Sequence, residues 1–489
     1  MPDILEDLAR ATAEAPDAPA FADDYGMVSY ATLARRASGF AAGLEGGPVG
    51  ILAPNGIDWV VADLAVKLAG GTSVPIPGFF SPEQIAHIVA DAGVTRILAS
   101  PAAMPLVAGR GIAVGPIGGI EEAPYHAPTS ADWKQIIYTS GTTGRPKGVR
   151  LAAGQLSAST DALIDAAAVR SSDHYLSVLP FALLLEQVCG IHVPLRTRSL
   201  VRIAAAVAPA AQQGNFEMLA AAAAKHRPTV MVLVPEWLKG WIRALERSGD
   251  PAPESLRFVA VGGARVAPAL ADAGWSRGIP VHEGYGLSEC CSVVAVNRPG
   301  ERRAGTVGRP LIGLDISIDE GEIVVRGSTV TDGYLHGKDV ADTWRTGDNG
   351  SLDEDGYLCV YGRRDDILVT GQGRNIDPAW IESMILADPL IAQCALIDAG
   401  DEVLTAVINP GDQGHAWFDA AGPEAVSERI AGLCSEAPAY ARPGQILLIS
   451  DAEIIANGLA RQPAGLDRRR LTDYFAEFVD PDCKQEKTA

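Results

Sequence analysis

Short apolar runs alternate with longer amphipathic stretches over residues 49–310. Residues 49–53 form one apolar run, and residues 59–68 form the amphipathic stretch that follows it. Strand-like runs that alternate with helical patterns are typical of βαβ units and parallel sheets. The pattern therefore predicts an α/β fold with a large N-terminal domain of βαβ subdomains.

The pattern changes at two later places. Residues 315–361 contain shorter alternating strands separated by turn signals, which predict a small β-rich subdomain. The alanine-rich run at residues 203–225 predicts helices that are broken near Pro209 and Gly214. A weakly charged stretch at residues 177–195 contains two prolines and predicts a buried helix rather than a membrane span.

Composition and charge limit the kind of protein. A chain of 489 residues is long for a single core. The net charge of −20 argues against a general nucleic-acid binder, because phosphate backbones require basic surface. The chain starts with acidic residues where a secretory signal carries basic ones, and its seven cysteines form no CxxC pair. We therefore expect a cytoplasmic protein.

A glycine-rich loop at residues 138–148 carries the first chemical signal. Its glycines allow successive backbone N–H groups to form a concave nest, its hydroxyls donate to oxygen atoms, and Arg145 and Lys147 balance negative charge. The apolar run at residues 135–138 predicts a buried strand, so the loop would lie at a strand's carboxyl end. The spacing differs from the Walker pattern. The loop therefore predicts a polyphosphate site of another kind, although such loops are often only flexible turns.

Three further motifs follow the loop along the chain. Residues 281–289 read VHEGYGLSE, residues 344–348 read WRTGD, and residues 361–366 read YGRRDD. Together with the loop, they resemble the adenylate-forming superfamily of acyl-CoA synthetases, firefly-luciferase-like enzymes and peptide-synthetase adenylation domains. The resemblance covers nearly the whole chain, and four motifs in order are much harder to obtain by chance than one.

The resemblance implies a domain organisation. It places an N-terminal AMP-binding domain at residues 1–362, a hinge at residues 363–366 and a small, mobile α+β C-terminal domain at residues 367–489. Asp365 is the implied hinge residue, about which the C-terminal domain rotates after adenylation. Residues 371–375, with Pro378 and Glu382, resemble the loop that then lines the tunnel of the attacking thiol.

The resemblance also implies roles for individual residues. Lys147, Glu289 and Arg363 are the implied catalytic residues, and Thr143 and Glu289 are the implied Mg²⁺ contacts. The implied ATP-binding residues are Thr139, Ser140, Gly141, Thr142, Thr143, Gly144, Lys147, Gly262, Gly263, Ala264, Gly284, Tyr285, Gly286, Ser288, Asp348 and Arg363. Taken alone, Glu289 would be an ordinary surface carboxylate and Asp348 an ordinary turn residue. Asp348 matches the carboxylate that accepts both ribose hydroxyls, and Tyr285 offers a flat face to adenine.

One expected residue is missing. The superfamily's C-terminal domain normally supplies a lysine that bridges the carboxylate and the α-phosphate, yet no lysine occurs between Lys338 and Lys484. Losing one transition-state donor typically costs about 10²–10³ in rate. Three alternatives remain open: Arg461 or Arg468 substitutes for the lysine; the enzyme uses a preformed adenylate or an unusual oxyacid; or the chain binds nucleotide without turnover, as a partner protein.

The predicted acid pocket consists of Leu183, Val234, Gly263 and Gly286. Leu183 stands where the long-chain fatty-acyl branch tends to have histidine, which makes the pocket more apolar. No aspartate suited to an amino acid's ammonium group occurs at residues 181–186. We therefore expect ATP- and Mg²⁺-dependent activation of a fatty or aromatic acid to an acyl-adenylate and then to a thioester. The acceptor is CoA or the phosphopantetheine of an acyl carrier protein.

Overall fold

The computed structural model describes most of the chain. The described residues are 2–108, 112–119, 121–127, 132–139, 145–364, 368–369, 375–398, 404–460 and 465–479. None of the helices that they form is long and apolar enough to cross a membrane.

The helices and strands alternate along the first part of the chain. The α-helices are α1 Ile4–Glu14, α2 Tyr30–Ala41, α3 Ile57–Leu68, α4 Pro82–Asp91, α5 Met104–Val107, α6 Ala153–Ala166, α7 Leu184–Gln187, α8 Val193–Thr197, α9 Val207–Gln212, α10 Glu217–His226, α11 Pro235–Ser248, α12 Pro268–Ser276, α13 Pro378–Leu386, α14 Gly411–Ala420, α15 Pro423–Leu433, α16 Asp451–Ala456 and α17 Arg468–Val479. A π-helical turn at Val188–His192 joins α7 to α8, and 3₁₀ turns lie at Ser288–Cys290 and Ala439–Ala441.

The strands are β1 Pro19–Ala22, β2 Met27–Ser29, β3 Pro48–Leu52, β4 Thr72–Pro75, β5 Arg96–Ala99, β6 Ala113–Pro116, β7 Lys134–Thr139, β8 Lys147–Ala152, β9 His174–Ser177, β10 Leu200–Ile203, β11 Val230–Leu233, β12 Phe258–Val261, β13 Val281–Tyr285, β14 Ala295–Val296, β15 Arg309–Pro310, β16 Leu314–Asp319, β17 Glu322–Gly327, β18 Thr343–Leu352, β19 Leu358–Arg363, β20 Leu368–Val369, β21 Asn375–Ile376, β22 Gln393–Asp398, β23 Leu404–Asn409 and β24 Gln445–Leu448.

Three sheets form the large N-terminal domain. One sheet has the order β6-β5-β3-β4-β7-β8, and a second has the order β15-β14-β13-β12-β11-β9-β10-β1-β2. Both are parallel in their central strands, as the alternating pattern predicts. The third sheet, β16-β17-β18-β19, is antiparallel and confirms the predicted β-rich subdomain.

A smaller C-terminal domain has its own core. Its sheet has the order β22-β23-β24, and its buried cluster includes Ile381, Leu396, Ile408 and Phe418. This cluster is separate from the cores of the large domain. The chain is therefore an α/β protein with a large and a small domain.

Local signals fix several helix starts. The Asp3 side chain accepts from the backbone N–H groups of Leu5 and Glu6, and the Asp3 backbone N–H donates to Glu6 Oε2. Ser81 forms the same kind of capping box with Gln84. Such caps satisfy N–H groups that have no partner inside the helix.

The expected helix break near Pro209 is wrong. Helix α9 runs from Val207 to Gln212 and includes Pro209. Pro209 occupies the third helical position, where a backbone N–H has no intrahelical acceptor in any case, so the missing donor costs no hydrogen bond. The break near Gly214 is confirmed, because the next helix starts at Glu217.

Candidate active site

The glycine-rich loop connects two antiparallel strands. Strand β7 ends at Thr139 and β8 begins at Lys147, and these two residues are register partners. Strand β7 also pairs in parallel with β4, so the loop leaves the carboxyl end of a parallel strand as predicted. The intervening predicted residues lie outside the described residues: Ser140, Gly141, Thr142, Thr143 and Gly144.

Three predicted residues meet at one carboxylate. Asp348 on β18 and Arg363 at the end of β19 are register partners, and Arg363 Nη1 donates to Asp348 Oδ1 at 3.2 Å. Tyr285, at the end of β13, donates its hydroxyl to Asp348 Oδ2 at 2.5 Å. The Asp348 backbone N–H donates to Thr346 Oγ1 at 3.0 Å, which fixes the turn. A carboxylate is therefore held rigidly between a phenol and a guanidinium.

Burial and charge act in opposite directions on this group. Burial raises the pKa of Asp348, whereas the Tyr285 hydroxyl and the Arg363 charge oppose that rise. Burial and the neighbouring Asp348 charge also raise the pKa of Tyr285, so its hydroxyl stays protonated and donates. Carboxylate oxygens in such a setting accept strong hydrogen bonds from hydroxyl groups.

A second group forms around Tyr334. The Tyr334 hydroxyl donates to Glu289 Oε1 at 2.6 Å, and Lys147 Nζ lies 5.6 Å from the centre of the Tyr334 ring. Burial and the Glu289 charge raise the pKa of Tyr334. Tyr334 thus connects the strand after the glycine-rich loop to the motif that contains Glu289. Sequence reasoning missed Tyr334. The glycine before it, Gly333, has φ of +100° and marks a turn, but it gives no sign of the chemistry.

The glycines of this region allow close backbone approach. A Cβ on Gly286 would lie 1.6 Å from the Ser292 carbonyl oxygen, so only glycine fits there. Gly263 has φ of +83°, in the left-handed region that glycine tolerates. The turn after β12 and the end of β13 lie side by side, since a Cβ on Gly262 would be 3.0 Å from the Gly284 carbonyl oxygen.

A cavity of about 260 Å³ opens from these glycines. Eight predicted residues line it: Leu183, Val234, Gly262, Gly263, Gly284, Tyr285, Gly286 and Ser288. We call the part of the cavity that Gly262, Gly263, Gly284 and Gly286 line the glycine end. Ala264 is exposed and is not among the residues that line the cavity. The predicted acid pocket and much of the predicted nucleotide site are therefore two parts of one space.

The C-terminal domain docks beside the glycine end. Asp377 caps helix α13, and Arg265 donates to Asp377 Oδ2 at 3.1 Å. Near the other end of the helix, Lys239 donates to the carbonyl of Ile391 at 2.8 Å and to that of Leu386. Burial lowers the pKa of Lys239 to about 7 and raises that of Asp377 to about 6. Side chains of the large domain thus hold α13 near both ends.

Of the two arginines that could replace the missing lysine, the structure describes Arg468 but not Arg461. Arg468 donates to Glu382 Oε1 at 2.7 Å and to the Leu396 carbonyl at 2.8 Å, so it lies within the C-terminal domain. Glu382 also accepts from the Leu396 backbone at 2.7 Å. Arg461 and Asp365 lie outside the described residues, as do residues 371–374.

The residues present fit a magnesium nucleotide. Glu289 offers carboxylate oxygen, which Mg²⁺ prefers as a ligand. Asp348 offers the lone pairs that a ribose diol requires, and the glycine end offers bare backbone to a flat base. Fold and site together define a two-domain α/β enzyme of the nucleotide-binding kind.

Comparison with known proteins identifies the family. Residues 8–335 match the model of the AMP-binding enzyme family, and residues 365–454 match that of the AMP-binding enzyme C-terminal domain. The chain belongs to the AMP-binding enzyme family.

Relatives carry ligase names. A 2-succinylbenzoate–CoA ligase from Bacillus cereus is 30% identical over 382 residues, which cover 73% of this chain and 76% of the relative. The long-chain-fatty-acid–CoA ligase FadD15 from Mycobacterium bovis is 27% identical over 439 residues, which cover 72% of this chain and 71% of the relative.

Solved structures establish the fold. The anthranilate CoA ligase AuaEII in complex with anthranoyl-AMP has a TM-score of 0.80 at 22% identity, with 97% of each chain covered. The o-succinylbenzoate CoA synthetase MenE from Bacillus subtilis, with ATP and magnesium ion, has a TM-score of 0.74 at 22% identity. That match covers 91% of this chain and 95% of MenE.

Proposed function

We propose that this chain is an ATP-dependent, AMP-forming acid–thiol ligase. It activates a carboxylic acid to an acyl-adenylate and transfers the acyl group to CoA. The arrangement of Tyr285, Asp348 and Arg363 carries the proposal, because Tyr285 both donates to Asp348 and lines the cavity. It combines a site for a ribose diol with an adjacent space for an acid. The ligase names of the relatives support the same reaction.

Each of the site residues has a separate role in the proposed adenylation. Asp348 accepts the ribose hydroxyls, and Arg363 places positive charge beside them. Glu289 would hold Mg²⁺, which would balance phosphate charge, and Lys147 adds a cation at the end of the glycine-rich loop. Positioned positive charge is the main stabilisation that attack on the α-phosphorus requires. Thr143 and the other loop residues remain proposed phosphate contacts.

The second half of the reaction requires a thiol at the same site. We place the domain boundary at residues 363–366, with Asp365 as the hinge of a mobile C-terminal domain. The separate cores of the two domains support this division. CoA is the proposed acceptor, and an acyl carrier protein is an alternative. The cytoplasm is the proposed compartment, because six cysteines of the described chain are free thiols.

The experiment measures AMP and pyrophosphate by mass spectrometry. ATP, Mg²⁺ and CoA are supplied with fatty, aromatic and inorganic oxyacids. We expect acid-dependent AMP, and we expect Glu289→Ala to lower its rate by about 10²–10³, the usual cost of losing transition-state charge stabilisation. Glu254→Ala, at an exposed glutamate outside the site, is the matched control. Measurable ATP binding without AMP from any acid would contradict the proposal.

The missing lysine favours a second candidate, the use of a preformed adenylate. Residues 339–483 contain no lysine, and Arg468 is bonded inside the C-terminal domain in this arrangement. A synthetic acyl-adenylate with CoA separates the two possibilities. Thioester formation from the adenylate, without AMP formation from ATP and free acid, would assign the chain to the second candidate. Silence in both assays, with ATP still bound, would favour a nucleotide-binding partner protein.

A further inference from the structure

The cavity follows one face of the nine-stranded sheet. Val230, Val232 and Val234 lie on alternate positions of β11 and its extension, so they share a face. Phe258 and Ala260 on β12 are the register partners of Val230 and Val232, and both line the cavity. The cavity thus extends from the glycine end to the first residues of these strands. We call the part of the cavity beside Val230 and Phe258 the far end.

The length of the cavity follows from strand geometry. Four residue steps separate Val230 from Val234, and a strand rises about 3.3 Å per residue, so the floor is about 13 Å long. Carbon–carbon bonds of about 1.5 Å give a zigzag chain that advances roughly 1.25 Å per carbon. About ten carbons therefore span the floor, whereas a single aromatic ring would fill only part of it.

The roof of the cavity is also apolar. Helix α6 contributes Leu163, and the following turn contributes Ala167. The helical segment from α7 to α8 contributes Leu184, Leu185 and Val193. Apolar side chains thus cover the cavity opposite the sheet, which favours a hydrocarbon ligand.

The polar groups near the far end have protein partners. Asp173 forms an ion pair with Arg257, whose Nε lies 2.7 Å from Asp173 Oδ1. Tyr175 donates to Glu186 at 2.9 Å, and Ser199 lies 3.0 Å from the Thr197 hydroxyl. Because these groups are already bonded, they give a ligand little reason to carry a polar tail.

Charge selects against a second carboxylate. Among the described residues that line the cavity there is no lysine, arginine or histidine. Asp173 lines the far end, and the buried Glu186 lies behind Tyr175. A dicarboxylic acid would place its second carboxylate in this space without a cation, and an unpaired buried charge is strongly unfavourable.

We propose that the acid is an unbranched aliphatic monocarboxylic acid of about eight to twelve carbons, a length set by the strand rise of the cavity floor. Its carboxylate lies at the glycine end and its methyl group beside Val230 and Phe258. This inference rests on the proposed function and narrows its substrate to one class. Aromatic acids and dicarboxylic acids are poor substrates on the same argument.

The test varies acid length and cavity length together. Linear acids from butanoate to hexadecanoate are compared with benzoate, anthranilate and 2-succinylbenzoate, each as the free acid with ATP and as the synthetic adenylate with CoA. We expect maximal kcat/KM near decanoate. Ala260→Phe fills the middle of the floor, so it should lower the ratio of kcat/KM for decanoate to kcat/KM for butanoate at least about 30-fold.

Two further variants complete the design. Phe258→Ala extends the far end and should move the optimum to longer chains. Ala224→Phe adds the same bulk as Ala260→Phe at an exposed position of α10 and should leave the length profile unchanged. Retained butanoate activity shows that Ala260→Phe is folded. Its loss of decanoate activity is then caused by the shorter cavity and not by unfolding.

Two outcomes would contradict the inference about the acid but not the proposed function. They are a maximal rate with an aromatic or dicarboxylic acid, and an unchanged length profile in Ala260→Phe. If no acid reacts in either assay, the proposed function fails instead. Calorimetric binding of decanoyl- and benzoyl-sulfamoyl adenosine then decides the acyl class without turnover, because tighter binding of the benzoyl compound would overturn the inference.

Discussion

The glycine end and the far end of the cavity differ in how they use polar groups. At the glycine end, Tyr285 lines the cavity and, with Arg363, directs a donor at Asp348, the proposed acceptor of the ribose hydroxyls. At the far end, Asp173, Tyr175 and Ser199 are bonded to protein partners, and most of the remaining wall is hydrocarbon. Directional hydrogen bonds therefore define the ligand at one end, and the volume and charge of the space define it at the other.

This difference has a consequence for substitutions. A change at the glycine end removes a bond that every substrate shares, so it affects all acids equally. A change at the far end alters volume, so it affects acids according to their length. The comparison fails if a substitution at the glycine end affects acids according to their length, or if one at the far end affects all acids equally.

The largest expected effect belongs to Asp348→Ala. Loss of two charge-assisted hydrogen bonds to ribose, each worth about 1.5–3 kcal/mol, should lower kcat/KM for ATP by about 10²–10⁴. Because every acid uses the same nucleotide, the loss should be equal for butanoate and decanoate. Steady-state kinetics with both acids measure it. Asp342→Ala, at an exposed carboxylate that pairs with Arg326, is the control; a loss that depended on acid length would contradict the comparison.

Glu186 is buried beside the cavity, and Glu186→Gln should have a smaller effect, which appears in the dependence of stability on pH. Burial raises the pKa of Glu186 to about 8 from 4.5, although hydrogen bonds from Ser177 and Tyr175 oppose the rise. A raised pKa adds stability that is fully present below pH 4.5 and is lost as pH rises through about 8. Wild type should therefore lose up to about 1.4 kcal/mol per pH unit relative to Glu186→Gln between pH 6 and 8.

Thermal unfolding of both proteins at pH 6, 7, 8 and 9 measures this difference. Glu254→Gln is the control, because an exposed glutamate should give the wild-type dependence on pH. If the wild type and Glu186→Gln curves stay parallel, Glu186 is ionised throughout. The far half of the cavity would then be less apolar than the comparison states.

The smallest effect is expected from Ser292, whose backbone packs against Gly286 at the glycine end. Ser292 lines the cavity, has φ of +89°, and its buried hydroxyl has no hydrogen-bond partner among the described residues. We expect this hydroxyl to donate to an oxygen of the bound acid. Ser292→Ala should therefore raise KM for the acid about two- to tenfold, the worth of one hydrogen bond of 0.5–1.5 kcal/mol.

The KM for ATP should stay unchanged in Ser292→Ala. Ser276→Ala is the control, because the Ser276 hydroxyl already donates to the Ala273 carbonyl at 2.7 Å. A rise in the KM for ATP instead would place Ser292 with the nucleotide. An unchanged KM for both substrates would show that the hydroxyl contacts neither.

Sequence patterns predicted the α/β class, the β-rich subdomain and the meeting of several distant motifs. Asp348 and Arg363 were predicted through the family resemblance, and the register of β18 and β19 shows the hairpin that brings them together. Tyr334 and Ser292 were not predicted. Tyr334 contacts Glu289 and Lys147 from a different part of the chain. The positive φ of Ser292 and the close approach of its carbonyl to Gly286 are properties of the folded backbone, which no local motif shows.

The sequence by itself determined the family, the chemistry-bearing residue types and the absence of lysine from residues 339–483. These are local properties, because motif spacing and residue type do not depend on packing. Only the tertiary structure decided that the predicted acid pocket extends along β11 and β12, and that Lys239 and Arg265 hold helix α13. A cavity is defined by side chains from several strands and helices, and its length depends on their relative positions, which no single segment encodes.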